Sequence, residues 1–192
     1  MRAMTEAATE APVPLWRTLA GLMLDPGGAV RRGLGDLGVA PALAVPGMAF
    51  TLFFLQSGLD RLRTGTIEGE GVALLTGAGL VFGTLGVALV ALVGWGAVRA
   101  LGGAIALGDA LKAFALCYAP TLVYTLLGIA CNLALGWNTA LAFGVTGVLW
   151  ALGPMTGAVR EMLGGRLWPA LAVSTLCGLI VLYGWSLLGA LA

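Results

Sequence analysis

The chain has 192 residues, of which 59% are hydrophobic and only 10% charged; a soluble domain carries about 45–50% apolar and about 25% charged residues. Ten Lys plus Arg against nine Asp plus Glu leave a net charge of +1, so neither a basic nucleic-acid-binding surface nor an acidic tail is present. The absence of histidine excludes Ser-His triads, HExxH zinc sites and haem-type axial histidines.

Residues Met1 to Val13 are polar, Ala-rich and unpatterned, and with Glu6, Glu10 and no apolar run after Arg2 they read as a disordered cytoplasmic tail. Residues 14–36 form the next region. Leu15, Trp16, Leu19, Leu22 and Met23 recur at helical spacing over a stretch too short to cross a bilayer, with Trp16 and Arg17 suited to the headgroup zone. An amphipathic interfacial helix is expected there, the alternative being a mere lead-in to the first span. Asp25-Pro26 ends it and predicts a second start, with Asp25 as N-cap and Pro26 at the first helical position. Arg31 and Arg32 follow one turn later.

The remaining charges are clustered. They leave charge-free stretches over 37–59, 71–98, 113–159 and 167–192, which are 23, 28, 47 and 26 residues long. One membrane span needs about 20 apolar residues, so the longest stretch holds two. The expected fold is therefore all-α, a polytopic membrane bundle over 37–192 with five transmembrane helices at about 39–59, 72–98, 111–132, 140–159 and 170–188. Pro46, Pro120 and Pro154 fall inside the first, third and fourth of these. The loop from Asp60 to Glu70 reads as solvated, its three carboxylates matching no EF-hand spacing. Cys117, Cys131 and Cys177 lie in or beside apolar stretches and read as buried free thiols.

Lys and Arg set the orientation. Arg2, Arg17, Arg31, Arg32, Arg99, Lys112, Arg160 and Arg166 fall on one side and Arg61 and Arg63 on the other, which places the N-terminus in the cytoplasm and the C-terminus outside. An internal repeat is also visible at an offset of 61: residues 82–99 share eight of eighteen identities with 143–160, and each copy ends at a Gly-Gly pair, Gly102-Gly103 and Gly164-Gly165. A parallel duplicated hairpin and a coincidence of biased composition both account for it. Gly79-xxx-Gly83 and Gly153-xxx-Gly157 are small-xxx-small seams, read as packing within the chain rather than as a dimer face.

Ionisable groups are missing from the predicted bilayer core except Lys112, at the start of the third span. Asp109, three residues earlier, reads as an N-cap, with Lys112 snorkelling to the headgroups or pairing with it. Tyr118-Ala119-Pro120 reads as a kinked helix in which the Tyr118 hydroxyl bonds a neighbouring backbone group, the alternative being a polar spot at the carbonyl that the proline frees.

Leu101-Gly102-Gly103 after the second span, followed by a helix with Tyr118-Ala119-Pro120, resembles the Yip1 domain family in its bacterial branch, over about residues 14 to 190. The resemblance implies a five-span fold with the N-terminus inside, not an activity, and directs attention to Gly102, Gly103, Tyr118 and Pro120. The expected function is a non-enzymatic integral protein of the cytoplasmic (inner) membrane that organises or binds membrane components. Its expected partners are anionic headgroups at the cytoplasmic face, met by Arg31 and Arg32, and a membrane protein or a second copy of the chain. The rival is a transporter or channel for a small neutral or lipidic solute. A membrane enzyme built on Tyr118 or the Asp109/Lys112 pair is the least favoured reading. No catalytic, cofactor or metal site is expected, and no nucleic acid partner.

Overall fold

The computed structural model describes residues 15–31, 34 and 37–191. Among these residues the fold is all-helical. Two short helices, α1 (Leu15–Leu24) and α2 (Pro26–Arg31), precede five helices long and apolar enough to cross a membrane. These are α3 (Val39–Arg63), α4 (Gly69–Ala100), α5 (Leu107–Leu135), α6 (Ala140–Met162) and α7 (Leu167–Leu191). Each lies where the charge-free stretches place it, with ends extended by up to four residues beyond the apolar limits, because a helix continues until something caps it. The expected tail over 1–13 and Arg32 lie outside the described residues.

The entry to the bundle follows the expected local chemistry. The Gly28 N–H donates to Asp25 Oδ1 at 2.9 Å, so Asp25 caps α2 and Pro26 takes the position where no N–H is needed. Pro26 then packs on Gly157 of α6, in the place a Cβ there would occupy.

The first and third spans form the centre. Half or more of their most apolar stretches is buried inside the protein, 50% for α3 and 56% for α5, against 33% for α4 and 28% for α7. The outer spans instead turn leucines such as Leu74, Leu85, Leu89 and Leu179 outward, the distribution expected where lipid is the solvent. Phe50, Phe53 and Phe54 of α3 fill the middle. Phe50 meets Phe82 edge-on at 5.0 Å and Tyr118 at 5.7 Å, while Phe53 stacks on Trp185 at 5.3 Å, geometries that favour aromatic pairs.

Close approach of backbones explains the glycine seams, and the two differ. A Cβ on Gly79 would stand 2.6 Å from the Phe50 carbonyl oxygen, and one on Gly83 would collide with the Pro46 carbonyl oxygen. The first seam therefore joins α4 to α3. In the second seam only Gly157 is packed, against Pro26, while Gly153 faces open space.

Two predicted details are corrected. The third span is not a continuous kinked helix with Pro120 inside. It is broken into Leu107–Leu116 and Ala119–Leu135, and Pro120 sits in the first turn of the second piece, where its missing N–H costs nothing. The Tyr118 hydroxyl, expected to bond backbone, is buried with no hydrogen-bond partner. The fourth and second spans each contain a π-helical turn, at Ala140–Val145 and Phe82–Gly86. These turns bring Gly83 and Gly144, equivalent positions of the repeat, against α3, the latter on the Phe53 ring.

The seam yields a test. Gly79→Ala should destabilise the bundle by about 1–3 kcal/mol, because the added methyl meets main chain that cannot swing away. Gly77→Ala, with no atom near the added carbon, should not destabilise and gains up to about 1 kcal/mol from the better helix former. Thermal unfolding of the two variants in one detergent measures the difference.

Candidate functional site

Successive helices alternate in direction, so the bundle has two polar ends. One end collects Arg17, Arg31, Arg99, Lys112, Arg160 and Arg166; the other holds Arg61 and Arg63. The basic end contains a cleft of about 480 Å³ between α2, the turn joining α4 to α5, and the end of α6. Val30, Leu34 and Ile105 make its apolar walls, and Asp109 and Glu161 its charged ones.

Each wall is held by a local bond. The α4 helix ends with Gly102 at φ +85°, with its N–H on the Arg99 carbonyl at 3.0 Å and the Gly103 N–H on the Val98 carbonyl at 2.8 Å. This paired closure satisfies carbonyls that a helix end would leave free, and its left-handed residue suits glycine. The α6 helix ends the same way. Gly164, at φ +66°, donates to Glu161 at 3.0 Å, and Gly165 donates to Arg160 at 2.8 Å. The two copies of the repeat thus share one cap. Arg166 ties them together: its Nε donates to the Leu163 carbonyl at 3.1 Å and its Nη2 to the Leu101 carbonyl. Gly103 lies beneath, so close to Val98 and to the Met162 carbonyl that a side chain would separate the two ends. Trp95 secures the connecting turn by donating from Nε1 to the Ile105 carbonyl at 3.1 Å.

Charges complete the cleft. Arg31 Nη1 pairs with Glu161 Oε2 at 2.8 Å, joining α2 to α6, and Lys112 Nζ pairs with Asp109 Oδ1 at 2.8 Å. The Arg31 side chain remains 61% exposed, so its pair contributes at most about 1 kcal/mol and leaves the guanidinium accessible. Asp109 is not the N-cap that the spacing predicts. Ala106 occupies that position, and Asp109 stands in the first turn, where a carboxylate still favours the helix dipole.

Of the residues singled out in the sequence, Gly102 and Asp109 line one cleft, Arg31 and Lys112 are joined to it through their pairs with Glu161 and Asp109, and Gly103 packs behind it. Tyr118 and Pro120 lie elsewhere, in the buried middle of the bundle.

A second polar assembly, at the opposite end, escapes the sequence reading. Asp60 is not part of a solvated loop but of the last turns of α3. Its Oδ2 accepts the Thr139 N–H at 3.1 Å and the Ala140 N–H at 3.2 Å, and its Oδ1 accepts Asn132 Nδ2 at 2.6 Å. One carboxylate thus caps the start of α6 from another helix. Arg63 Nη2 donates to the Asn132 carbonyl at 2.7 Å. Deeper, Thr139 Oγ1 donates to Gln56 Oε1 at 3.1 Å, and Gln56 Nε2 to the Thr125 carbonyl at 2.8 Å. Gln56, Asp60 and Arg63 are spaced by four and three residues, a one-sided helical stripe; that spacing was the available signal.

Among the described residues, no group of His, Cys, Asp and Glu is arranged to hold a metal ion. In comparisons with known proteins, no family model, curated protein or solved structure matches the chain.

The two ends predict different mutational costs. Asp60→Ala should destabilise by about 2–4 kcal/mol, since it strands two backbone N–H groups and Asn132 at once. Asp109→Ala should cost less, about 1 kcal/mol, because the Asp109 side chain is itself half exposed and strands no backbone N–H, although Lys112 is mostly buried. Equilibrium unfolding in mixed micelles would rank them.

Proposed function

We propose that the chain is a non-enzymatic protein of the cytoplasmic membrane, similar to the Yip1 domain family, that gathers membrane components at its basic end. In this reading the basic end is cytoplasmic and the N-terminal helices lie at the headgroup level beside it. The observation that carries the proposal is the accessible Arg31 on α2, which pairs with Glu161 over the cleft at the bundle end that also carries Arg99, Arg160 and Arg166, the charged lining of the cleft itself being Asp109 and Glu161. Basic groups near an anionic bilayer surface contribute about 1 kcal/mol each, so the cluster holds anionic headgroups against the apolar walls formed by Val30, Leu34 and Ile105. A membrane protein partner or a second copy would approach the same face.

The test uses the full-length protein in nanodiscs of phosphatidylcholine with or without phosphatidylglycerol. Replacing Arg31 and Arg32 together by glutamate should lower retention of phosphatidylglycerol about tenfold or more. Glu161→Gln, which frees Arg31 from its pair, should not lower it. Unchanged retention in the double variant would sink the proposal. Orientation is checked separately: alkaline phosphatase inserted after Gly65 should be active and after Ala104 inactive.

A second reading, a transporter or channel for a neutral or lipidic solute, is favoured by one observation, the break at Cys117–Tyr118 with a buried, unpartnered hydroxyl. Discontinuous helices commonly line transporter sites. Solute flux in proteoliposomes, abolished by Tyr118→Phe, would support it over the first.

A further inference from the structure

Polar groups also reach the lipid-facing side of the bundle. Trp150 lies midway along α6, roughly 15 Å from either end at about 1.5 Å of rise per residue, and it is 60% exposed on the outside. Tyr124 of α5 packs beside it with ring centroids 5.9 Å apart, so the two stand at one depth. Among the described residues this pair makes a ring contact and no hydrogen bond. Trp and Tyr ordinarily stand at the membrane interfaces, where their polar tips meet water. Here an indole N–H and a phenol O–H come to the outer surface at mid-bilayer depth, about 15 Å from the nearest headgroup. Acyl chains carry no acceptor there, so lipid alone leaves both groups unsatisfied.

The surroundings are shaped for a close neighbour. The α5 and α6 helices cross at Gly147, where a Cβ would stand 2.9 Å from Thr121 Cα and 3.1 Å from Tyr124 Cβ, and Thr121 Oγ1 donates to the Gly147 carbonyl at 2.9 Å. This tight crossing holds Tyr124 and Trp150 side by side on its outer rim. Gly153 follows on the same face of α6, one turn towards the basic end, and nothing lies within 4 Å of where its Cβ would be. A helix backbone can approach there without displacing a side chain. Gly157, the next glycine on this face, is already covered by Pro26 of α2, so the free face ends where α2 begins.

What the face needs is an acceptor for Trp150 at its own depth, and the face itself holds one. Indole is a donor only, whereas the Tyr124 hydroxyl both donates and accepts. Copies of one membrane protein share one orientation, so two of them pair about a two-fold axis along the membrane normal, which keeps each residue at the depth of its counterpart. About such an axis Trp150 of one copy meets Tyr124 of the other and the reverse, two identical hydrogen bonds closing one contact. An unrelated helix supplies an acceptor at this depth only by coincidence.

We propose that the α5/α6 face is the contact between two copies of this chain, with the Trp150 Nε1–H of each donating to the Tyr124 hydroxyl of the other and the backbones closest at Gly153. The pairing brings the two α2 helices, and with them the two basic ends, side by side. It assigns the surface on which a second copy meets the first and needs no anionic lipid.

Förster transfer between donor- and acceptor-labelled full-length protein in phosphatidylcholine liposomes, followed against protein-to-lipid ratio, tests the assignment. The wild type should associate reversibly to dimers. Trp150→Phe and Tyr124→Phe, which keep the rings and remove the bonds, should each weaken association about fivefold or more. The double variant should lose no more than either single one, because both changes remove the same bond. Gly153→Leu should weaken association at least as much, whereas Gly77→Leu, at an equally open glycine of α4, should leave it unchanged; thermal unfolding identifies any variant that fails to fold. Phosphatidylglycerol retention should be the same in Trp150→Phe and the wild type, so this contact and the lipid reading fail in different variants. A wild type that stays monomeric at every ratio would overturn the proposal, including one that instead carries another membrane protein lost on Trp150→Phe. So would dimers that Trp150→Phe and Gly153→Leu both leave intact.

Discussion

In hydrocarbon no water completes a hydrogen bond, so every main-chain amide and carbonyl must be satisfied by the protein itself. Each departure of this bundle from straight α-helix marks a place where that demand is met in another way. At the break in α5, the Cys117 N–H reaches Ala113 and the Tyr118 N–H turns to Ala115, while Pro120 brings no N–H to satisfy. At the start of α6, the amides of Thr139 and Ala140 turn to Asp60 on α3. At the ends of α4 and α6, paired glycines fold the chain back onto free carbonyls and Arg166 takes up two more. The polar residues that look sparse in the composition are mostly committed to this task.

The same demand makes α3 the axis of the fold. It offers backbone to Gly79 and Gly83 of α4, the Phe53 ring to Gly144 of α6 and Gln56 to the Thr125 carbonyl of α5. Without a hydrophobic effect between lipid-solvated helices, contact strength comes from short approach and from buried hydrogen bonds. The first span supplies both, apolar approach through its middle and polar bonds through its last turns. A change in its register would disturb three interfaces together, whereas α7 meets its neighbours through fewer such bonds, Thr156 with Ser174 at 2.7 Å and Cys177 Sγ to the Val90 carbonyl at 3.9 Å.

What was legible in the sequence follows from range. The five spans and the Asp25 cap depend on residues within a few turns of one another, or on composition over a whole helix, and both stand where the sequence reading puts them. The role of Asp60 is not legible locally because its partners lie 72 to 80 residues away, and nothing nearby distinguishes a carboxylate that caps a distant helix from one in a solvated loop. Asp109 misleads in the opposite sense. A carboxylate near a helix start looks like its cap, but the backbone turns helical three residues earlier. Pro120 reads as lying inside a helix because the apolar run has no visible interruption, although Cys117 and Tyr118 interrupt it in space.

The two similar segments separate local from long-range encoding within one chain. Where the two copies face the same local problem, they solve it alike: Gly102-Gly103 and Gly164-Gly165 close their helices through the same pair of hydrogen bonds. Where the outcome depends on a neighbour, like motifs diverge. Gly79 lies against the Phe50 carbonyl, but Gly153, heading the other small-xxx-small pair, faces open space, and Gly157 receives Pro26 from outside the five spans. A glycine seam therefore states that close approach is allowed without naming what approaches. In this bundle the name is supplied by α3 for one seam and by α2 for the other, and α2 is the helix that Arg31 fastens over the cleft at the basic end.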